Sequence, residues 1–391
     1  MSIEILLIRQ IKAARALLAW SQHDLAEASG VSYPTIARLE RSDGPLGGRK
    51  ETSQAIRSAL EAAGVAVTVF DRVEADPSLA TLMAVTEAGR AADVTGVIGF
   101  GGGSSLDVAK LAALLLGSGE DLDAAWGVAN AKGPRLPLVL VPTTAGTGSE
   151  VTPVSIITVG EEEKRGVSSP VILPDIAVLD AELTLGLPPA ITAATGVDAM
   201  VHAIEAYASK SANNNPVSKL LAREALRLLG ANIETAVMDG TDVEARGAML
   251  LGSMLAGQAF ANSPVAAVHA LAYPIGGTFH VPHGLSNALV LPHVLRFNAP
   301  VAADLYAEIA HDAFPHLERS NDADRLCTVF IDELAGLSSK LGMETRLRDV
   351  GIPETALEKM AADSMLQQRL LVNNPRDVNE ADALAIYREA W

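Results

Sequence analysis

The sequence predicts three successive parts: a small bundle of short helices, an α/β domain on a parallel sheet, and an all-helical domain. Three observations carry this. Residues 8–63 show helical periodicity broken by tight turns. From Val65 to about residue 190, strand-like and helix-like segments alternate, as in a parallel sheet with covered faces. Residues 191–391 are Ala- and Leu-rich, helical in pattern almost throughout, and broken by Gly/Pro turns such as YPIGG (273–277).

In the first part, Ile11, Ala14 and Leu18, and then Leu25 and Ala28, recur at the helical period, and Ser21 stands where an N-cap belongs. In the second, VAVTVFD (65–71) alternates as a strand and ADPSLATLMAVTEAGRAA (75–92) reads as a helix. VTGVIGF (94–100) reads as a buried strand; a further helix and LPLVLVPTT (136–144) continue the alternation. Pro-rich LPPAIT (187–192) marks the next boundary, so the expected domains are 1–64, 65–190 and 191–391. No solenoid-type repeat is present.

Charge separates these parts. The chain carries −17 overall, yet residues 1–64 hold eight Lys/Arg against seven Asp/Glu, leaving 22 against 40 for the remainder. A body that acidic repels a polyanion and is a poor nucleic-acid binder. With 49% apolar and 20% charged residues, the chain has the composition of a globular protein. Cys327 is the only cysteine, which excludes an internal disulfide and fits a reducing compartment. Glu4, Arg9, Lys12 and Arg15 interrupt the apolar N-terminus, and no stretch reaches the ~18 apolar residues of a membrane span. A cytoplasmic protein without membrane association is expected.

Two glycine-rich loops follow strand-like runs. In GFGGGSS (99–105), consecutive glycines let backbone N–H groups approach a pyrophosphate, and the helix that follows adds its positive end. PTTAGTGSE (142–150) offers further hydroxyl and N–H donors. Loops at the carboxyl ends of parallel strands are where open α/β sheets bind ligands. A separate constellation suits a metal. ATGVDAMVHAIEAY (194–207) places Asp198 and His202 four apart on one helical face, and His269, His280, His283 and His293 follow within a short stretch. Five of the eight histidines fall in these two places. Three imidazoles and a carboxylate suit a divalent first-row metal without separating iron(II) from zinc, and no carboxylate-rich cage for magnesium or calcium is present. An ion with an open position favours the alkoxide of an alcohol, and a nicotinamide accepts the hydride from its carbon.

From about residue 60 to 391 the chain resembles the iron-containing (group III) alcohol dehydrogenases. The resemblance rests on GGGSSLDVAK (101–110), PTTAGTGSE, LPDIAVLD (173–180), ATGVDAMVHAIEAY, HALAYPIGGTFHVPHG (269–284) and LLVNNPR (370–376). It implies a Rossmann-like cofactor domain followed by an all-helical metal domain. It implies Fe2+, with Zn2+ as the alternative, held by Asp198, His202, His269 and His283. It further implies NAD or NADP, with Gly101, Gly102, Gly103 and Ser104 at the pyrophosphate, Asp107 in the same cofactor-binding segment, Thr143, Thr144 and Ser149 on the nicotinamide side, and Lys164 at the ribose. The substrate would be a small alcohol or aldehyde, and a homo-oligomer is expected. His280 and His293 are not ligand positions in that pattern. Many relatives carry a His four residues after the third ligand, where this chain has Tyr273, whose hydroxyl can donate a hydrogen bond.

Residues 5–64 depart from that family, whose members begin with two further strand-like stretches. They resemble instead a repressor-type helix-turn-helix of the xenobiotic-response-element class. Gln22 opens the first helix of the pair, Gly30 makes the turn, and residues 32–40 form the recognition helix. Ser32, Tyr33, Thr35 and Arg38 are candidate base contacts and Arg41 a phosphate contact. The cofactor domain is therefore expected to be truncated. DNA binding through residues 21–41 is the less favoured reading. Two alternatives to a working dehydrogenase follow: a DNA-binding regulator with a dehydrogenase-derived sensor body, and a catalytically impaired fusion.

Overall fold

The computed structural model describes residues 66–160 and 163–391, and most of residues 11–40 and 55–64. The chain divides into two compact units. One comprises the described residues of Met1–Thr143 with Val154–Gly160 and Lys164–Val178; the other comprises Thr144–Pro153 and Leu179–Trp391 with the adjoining Glu163.

The first unit opens with a helical bundle around Ile11, Ala14, Leu25, Ile36, Leu39 and Ile56. Helix α1 (Gln22–Ser29) begins at Ser21, whose hydroxyl accepts from Asp24 N while Asp24 caps back, a reciprocal capping box. Gly30 closes it in the left-handed region at φ 66°, where a Cβ would be strained, and α2 (Tyr33–Glu40) follows. Arg15 forks onto buried Glu40 with two bonds of 2.8 Å and donates to Trp20 O, while Gln22 donates to the same carboxylate. This bidentate pair fixes α2 against the preceding helical residues. Ala28 is exposed, contrary to its expected place on the apolar face; Ala26 packs on the core instead. Residues 41–54, Arg41 among them, lie outside the described residues.

The α/β part runs α3 (Leu79–Ala91), β1 (Val97–Gly101), α4 (Gly103–Gly117), α5 (Leu122–Ala125), β2 (Gly127–Val128), β3 (Leu138–Pro142), β4 (Val154–Val159), β5 (Glu163–Ser168) and β6 (Ile176–Ala177). A parallel sheet has the order β1-β3-β6, and a second has the order β2-β5-β4. In the first, Val97 lies opposite Leu138 and Gly101 opposite Pro142. Every residue of β3 is buried, whereas β1 is half-buried except at Gly99.

One expected strand does not form among the described residues. Within VAVTVFD, residues 66–71 join no strand among the described residues, and Val67 and Val69 remain 42% and 39% exposed. Alternation marks a chain that can pair as a strand, but the ladder needs a neighbour, and among the described residues nothing pairs with β1 on the side away from β3.

The second unit is helical: α6 (Pro189–Ala208), α7 (Pro216–Met238), α8 (Val243–Asn262), α9 (Ala267–Phe279), α10 (His283–Ala313), α11 (Ala323–Lys340), α12 (Leu357–Ser364), α13 (Gln368–Leu371) and α14 (Glu380–Ala390). Helix α6 packs against α7, α8 and α10, and 15 of its 20 residues are buried, which its Ala-rich sequence permits at close range. One continuous apolar core runs from Ala145 to Ala390. Among the described residues no helix is long and apolar enough to cross a membrane.

Candidate metal centre

Helix α6 sets the first two donors. Asp198 and His202 face one way four residues apart, and Glu205, seven after Asp198, continues the same stripe. Helix α9 brings His269 and the first residue of α10 brings His283. Gly284 allows this approach: a Cβ there would stand 2.3 Å from Ala194 O of α6. One potential ligand atom from each of Asp198, His202, His269 and His283 lies within 4.8 Å of the others. The first three are buried, while the His283 side chain is 46% exposed, so the cluster opens on that side.

Hydrogen bonds on the far side of two rings aim them inward. His202 Nδ1 lies 3.1 Å from Gly146 O, and His269 Nδ1 lies 2.6 Å from Glu205 Oε2. A carbonyl oxygen and a carboxylate only accept, so each Nδ1 carries the proton and each Nε2 lone pair faces the cluster. Glu205 Oε1 accepts in addition from Val268 N at 2.7 Å, which locks its carboxylate. His202 stacks on His269 with centroids 4.7 Å apart, and Phe260 covers its other side at 4.5 Å.

The electrostatics suit a cation. Burial opposes ionisation of Asp198, but His202, His283, His269 and the Asn287 amide outweigh it and hold the carboxyl below its usual range. Burial lowers His202 to about 3 despite Asp198, so that ring is neutral. Burial pulls His269 down as well, but Glu205 and Asp198 prevail and raise it. A buried carboxylate with the Nε2 atoms of His202 and His269 directed toward it is the environment a divalent ion satisfies.

Tyr273 lies beside the open side, its ring 6.5 Å from that of His283, and its hydroxyl accepts from Arg369 Nη2 at 3.2 Å. The phenolic proton is thus left to donate elsewhere. His280 is outside the cluster, ending α9 at φ 55°; His293 is packed near Glu389, and burial followed by Arg296 lowers it to about 4.

The first glycine loop lies in the other unit. Gly101 has φ 148°, and a Cβ there would stand 2.6 Å from Ser105 Oγ. Gly102 precedes α4 with no side-chain cap, so the helix begins at Gly103 and Ser104 with the bare backbone end that anions use. Asp107 Oδ2 accepts from Ile156 N at 2.9 Å, and the buried Lys110 Nζ donates to Val154 O at 2.6 Å, pinning α4 to β4. Thr143 N donates to Gly101 O at 2.9 Å. Lys164 Nζ pairs with Asp76 Oδ1 at 2.6 Å and donates to Thr158 Oγ1. Thr144 and Ser149 fall in the helical unit, where Ser149 opens a 3-10 turn, Ser149–Val151.

Sequence reasoning missed Glu205, Asn287, Arg369 and the Gly146 carbonyl. Glu205 was legible by its period on α6 and Asn287 by its place one turn after His283; Arg369 and Gly146 depend on partners distant in sequence.

The family model "Fe-containing alcohol dehydrogenase family, C-terminal" matches residues 192–391, and "Iron-containing alcohol dehydrogenase" matches residues 43–181. The chain belongs to the iron-containing alcohol dehydrogenases. It is 41% identical over 341 residues to long-chain-alcohol dehydrogenase 1 of Geobacillus thermodenitrificans, covering 86% of this chain and 85% of that one. A 1,3-propanediol oxidoreductase crystal structure superposes with TM-score 0.82 at 35% identity, covering 86% of this chain and 88% of the other. Sulfoacetaldehyde reductase from Bifidobacterium kashiwanohense, in complex with NAD+, superposes with TM-score 0.75 at 30% identity, with 86% of each chain covered. A helix-turn-helix family model matches residues 11–48, so this enzyme carries such a module at its N-terminus.

Proposed function

We propose that this enzyme is a metal-dependent, NAD(P)-linked alcohol dehydrogenase and aldehyde reductase. The observation that carries the reading is the convergence of Asp198, His202, His269 and His283, with two rings held by Gly146 O and Glu205 so that their Nε2 atoms face inward. These four residues would hold Fe2+ or Zn2+. Gly101, Gly102, Gly103 and Ser104, at the uncapped start of α4, would hold the dinucleotide pyrophosphate. The ion would supply Lewis acidity toward an alcohol or aldehyde oxygen, and the nicotinamide would supply the hydride acceptor or donor. Exposed His283 and neighbouring Tyr273 mark the side from which a substrate oxygen enters. Tyr273, with its oxygen accepting from Arg369, keeps its proton available to donate. Protein loaded with Fe2+ or Zn2+ is expected to hold one ion per chain and to reduce NAD+ or NADP+ with short primary alcohols. Full metal content without turnover of either cofactor across an alcohol and aldehyde panel would overturn the reading.

A second reading attaches to the helix pair α1–α2, because the helix-turn-helix match covers it. Ser32, Tyr33 and Arg38 are exposed and Thr35 half-exposed, as base contacts require, and Tyr33 stacks on His23 at 3.9 Å. Against it stands the charge: residues 1–64 are nearly neutral and the remaining residues strongly acidic. Non-specific DNA affinity comes from phosphate neutralisation by Lys and Arg. The module is therefore expected to give no duplex retention in a gel shift at about 0.15 M salt. A retained band on a defined duplex, lost in Arg38→Ala, would establish the regulatory reading.

A further inference from the structure

We propose that Asn287 is a positioning residue of the metal centre: its amide pins the Asp198 carboxylate and closes one side of the donor cluster without ligating the ion. This rests on the metal reading above. Asn287 follows His283 by one turn of α10 and is fully buried. Its Nδ2 donates to Asp198 Oδ1 at 2.6 Å and lies 3.3 Å from His269 Nε2 and 3.2 Å from His283 Nε2. An amide nitrogen carries two protons, so it cannot serve three acceptors equally. The carboxylate, charged and nearest, takes the strongest bond.

The other end of the side chain agrees with the N–H end setting the orientation. Among the described residues Asn287 Oδ1 is buried with no hydrogen-bond partner, so the N–H bonds hold the amide as it stands. Turning it over would place its carbonyl oxygen 2.6 Å from Asp198 Oδ1, lone pair against lone pair. The same contact therefore argues against the carbonyl as a ligand. A neutral donor suits the position, because Lys or Arg there would satisfy Asp198 and repel a cation. With its carboxylate held by Asn287, Asp198 gives up no further side-chain freedom when an ion arrives.

Partners that orient a ligand typically change metal affinity by about 10- to 100-fold. The test is a Co2+ titration against a chromophoric chelator, with absorption spectra of the loaded protein, for wild type, Asn287→Ala and Asn287→Leu. Leu keeps the volume and removes the donor, covering the case in which the Ala variant fails to fold. Both variants are expected to lose about 10- to 100-fold in Co2+ affinity while the band positions and intensities stay those of wild type. Unchanged affinity would reduce Asn287 to packing. Bands that intensify in the variants, as a ligand is lost, would make its oxygen a ligand. Either result overturns the proposal. A wild type that takes up no Co2+ would instead refute the metal reading itself, which wild type alone reveals.

Discussion

The carboxylate of Glu205 accepts from Val268 N with one oxygen and from His269 Nδ1 with the other, so neither oxygen is free to serve both donors. Glutamine has one acceptor and one amine, and in its place one of the two buried donors would face another donor. Glu205→Gln is therefore expected to weaken metal binding by about 10- to 100-fold. The unpaired donor also costs stability on the order of 1–3 kcal/mol. Chelator competition and thermal melts measure the two effects, and unchanged metal affinity would show that His269 keeps its tautomer unaided. At this scale the sequence was informative where chemistry and spacing coincided. Asp198 and His202 share a face by their four-residue interval, and Glu205 extends it by seven. Nothing local announced that Glu205 would meet a histidine 64 residues onward. The Gly146 carbonyl was less legible still, because the glycine-rich loop suggested N–H donors for a phosphate whereas the structure uses one of its carbonyls to orient His202.

Elements show the same dependence on distant partners. LPLVLVPTT produced β3 because neighbours exist on both sides of it, β1 and β6. The alternating stretch after Val65 has the composition of a strand, yet residues 66–70 find no ladder among the described residues. A strand is a pairing, and periodicity reports only the capacity for it. What holds the opposite edge together is partly electrostatic. Asp175, just before β6, accepts from Arg135 Nη1 at 2.7 Å and Nη2 at 2.9 Å and from Leu138 N at the head of β3. The Arg135 bonds, then the Leu138 bond, lower its carboxyl to about 2. A depressed folded pKa contributes stability that is complete above the ordinary carboxylate value of 3.8 and is lost as pH falls toward 2. Asp175→Asn is expected to lower the stability of the α/β unit at neutral pH and to flatten its pH dependence between about 4 and 2. The Asp175 side chain is 51% exposed, so solvent screening keeps the effect small. An acid titration of wild type and variant with parallel slopes through that window would remove Asp175 from the account.

At the scale of the whole chain, the two units have separate interiors. The helical unit contains one core from Ala145 to Ala390, while the bundle and the α/β part have their own clusters, around Leu25 and Ile36 and around Leu111 and Leu140. All four donors and both orienting acceptors, Glu205 and Gly146, belong to the helical unit. A ligand stabilises the cooperative unit that holds it in its folded form, by about 2.7 kcal/mol at a free concentration 100 times Kd. Calorimetry is therefore expected to resolve two transitions, and saturating metal to raise the one that belongs to the helical unit, with a chelator reversing the shift. Asp175→Asn supplies the marker for the other transition, because its partners Arg135 and Leu138 lie wholly within the α/β unit. Metal moving one transition and the substitution moving the other would establish two folding units in one enzyme. A single transition displaced by both would mean that the two units unfold together, the metal bound in one and the Arg135–Asp175 pair of the other reporting the same cooperative event.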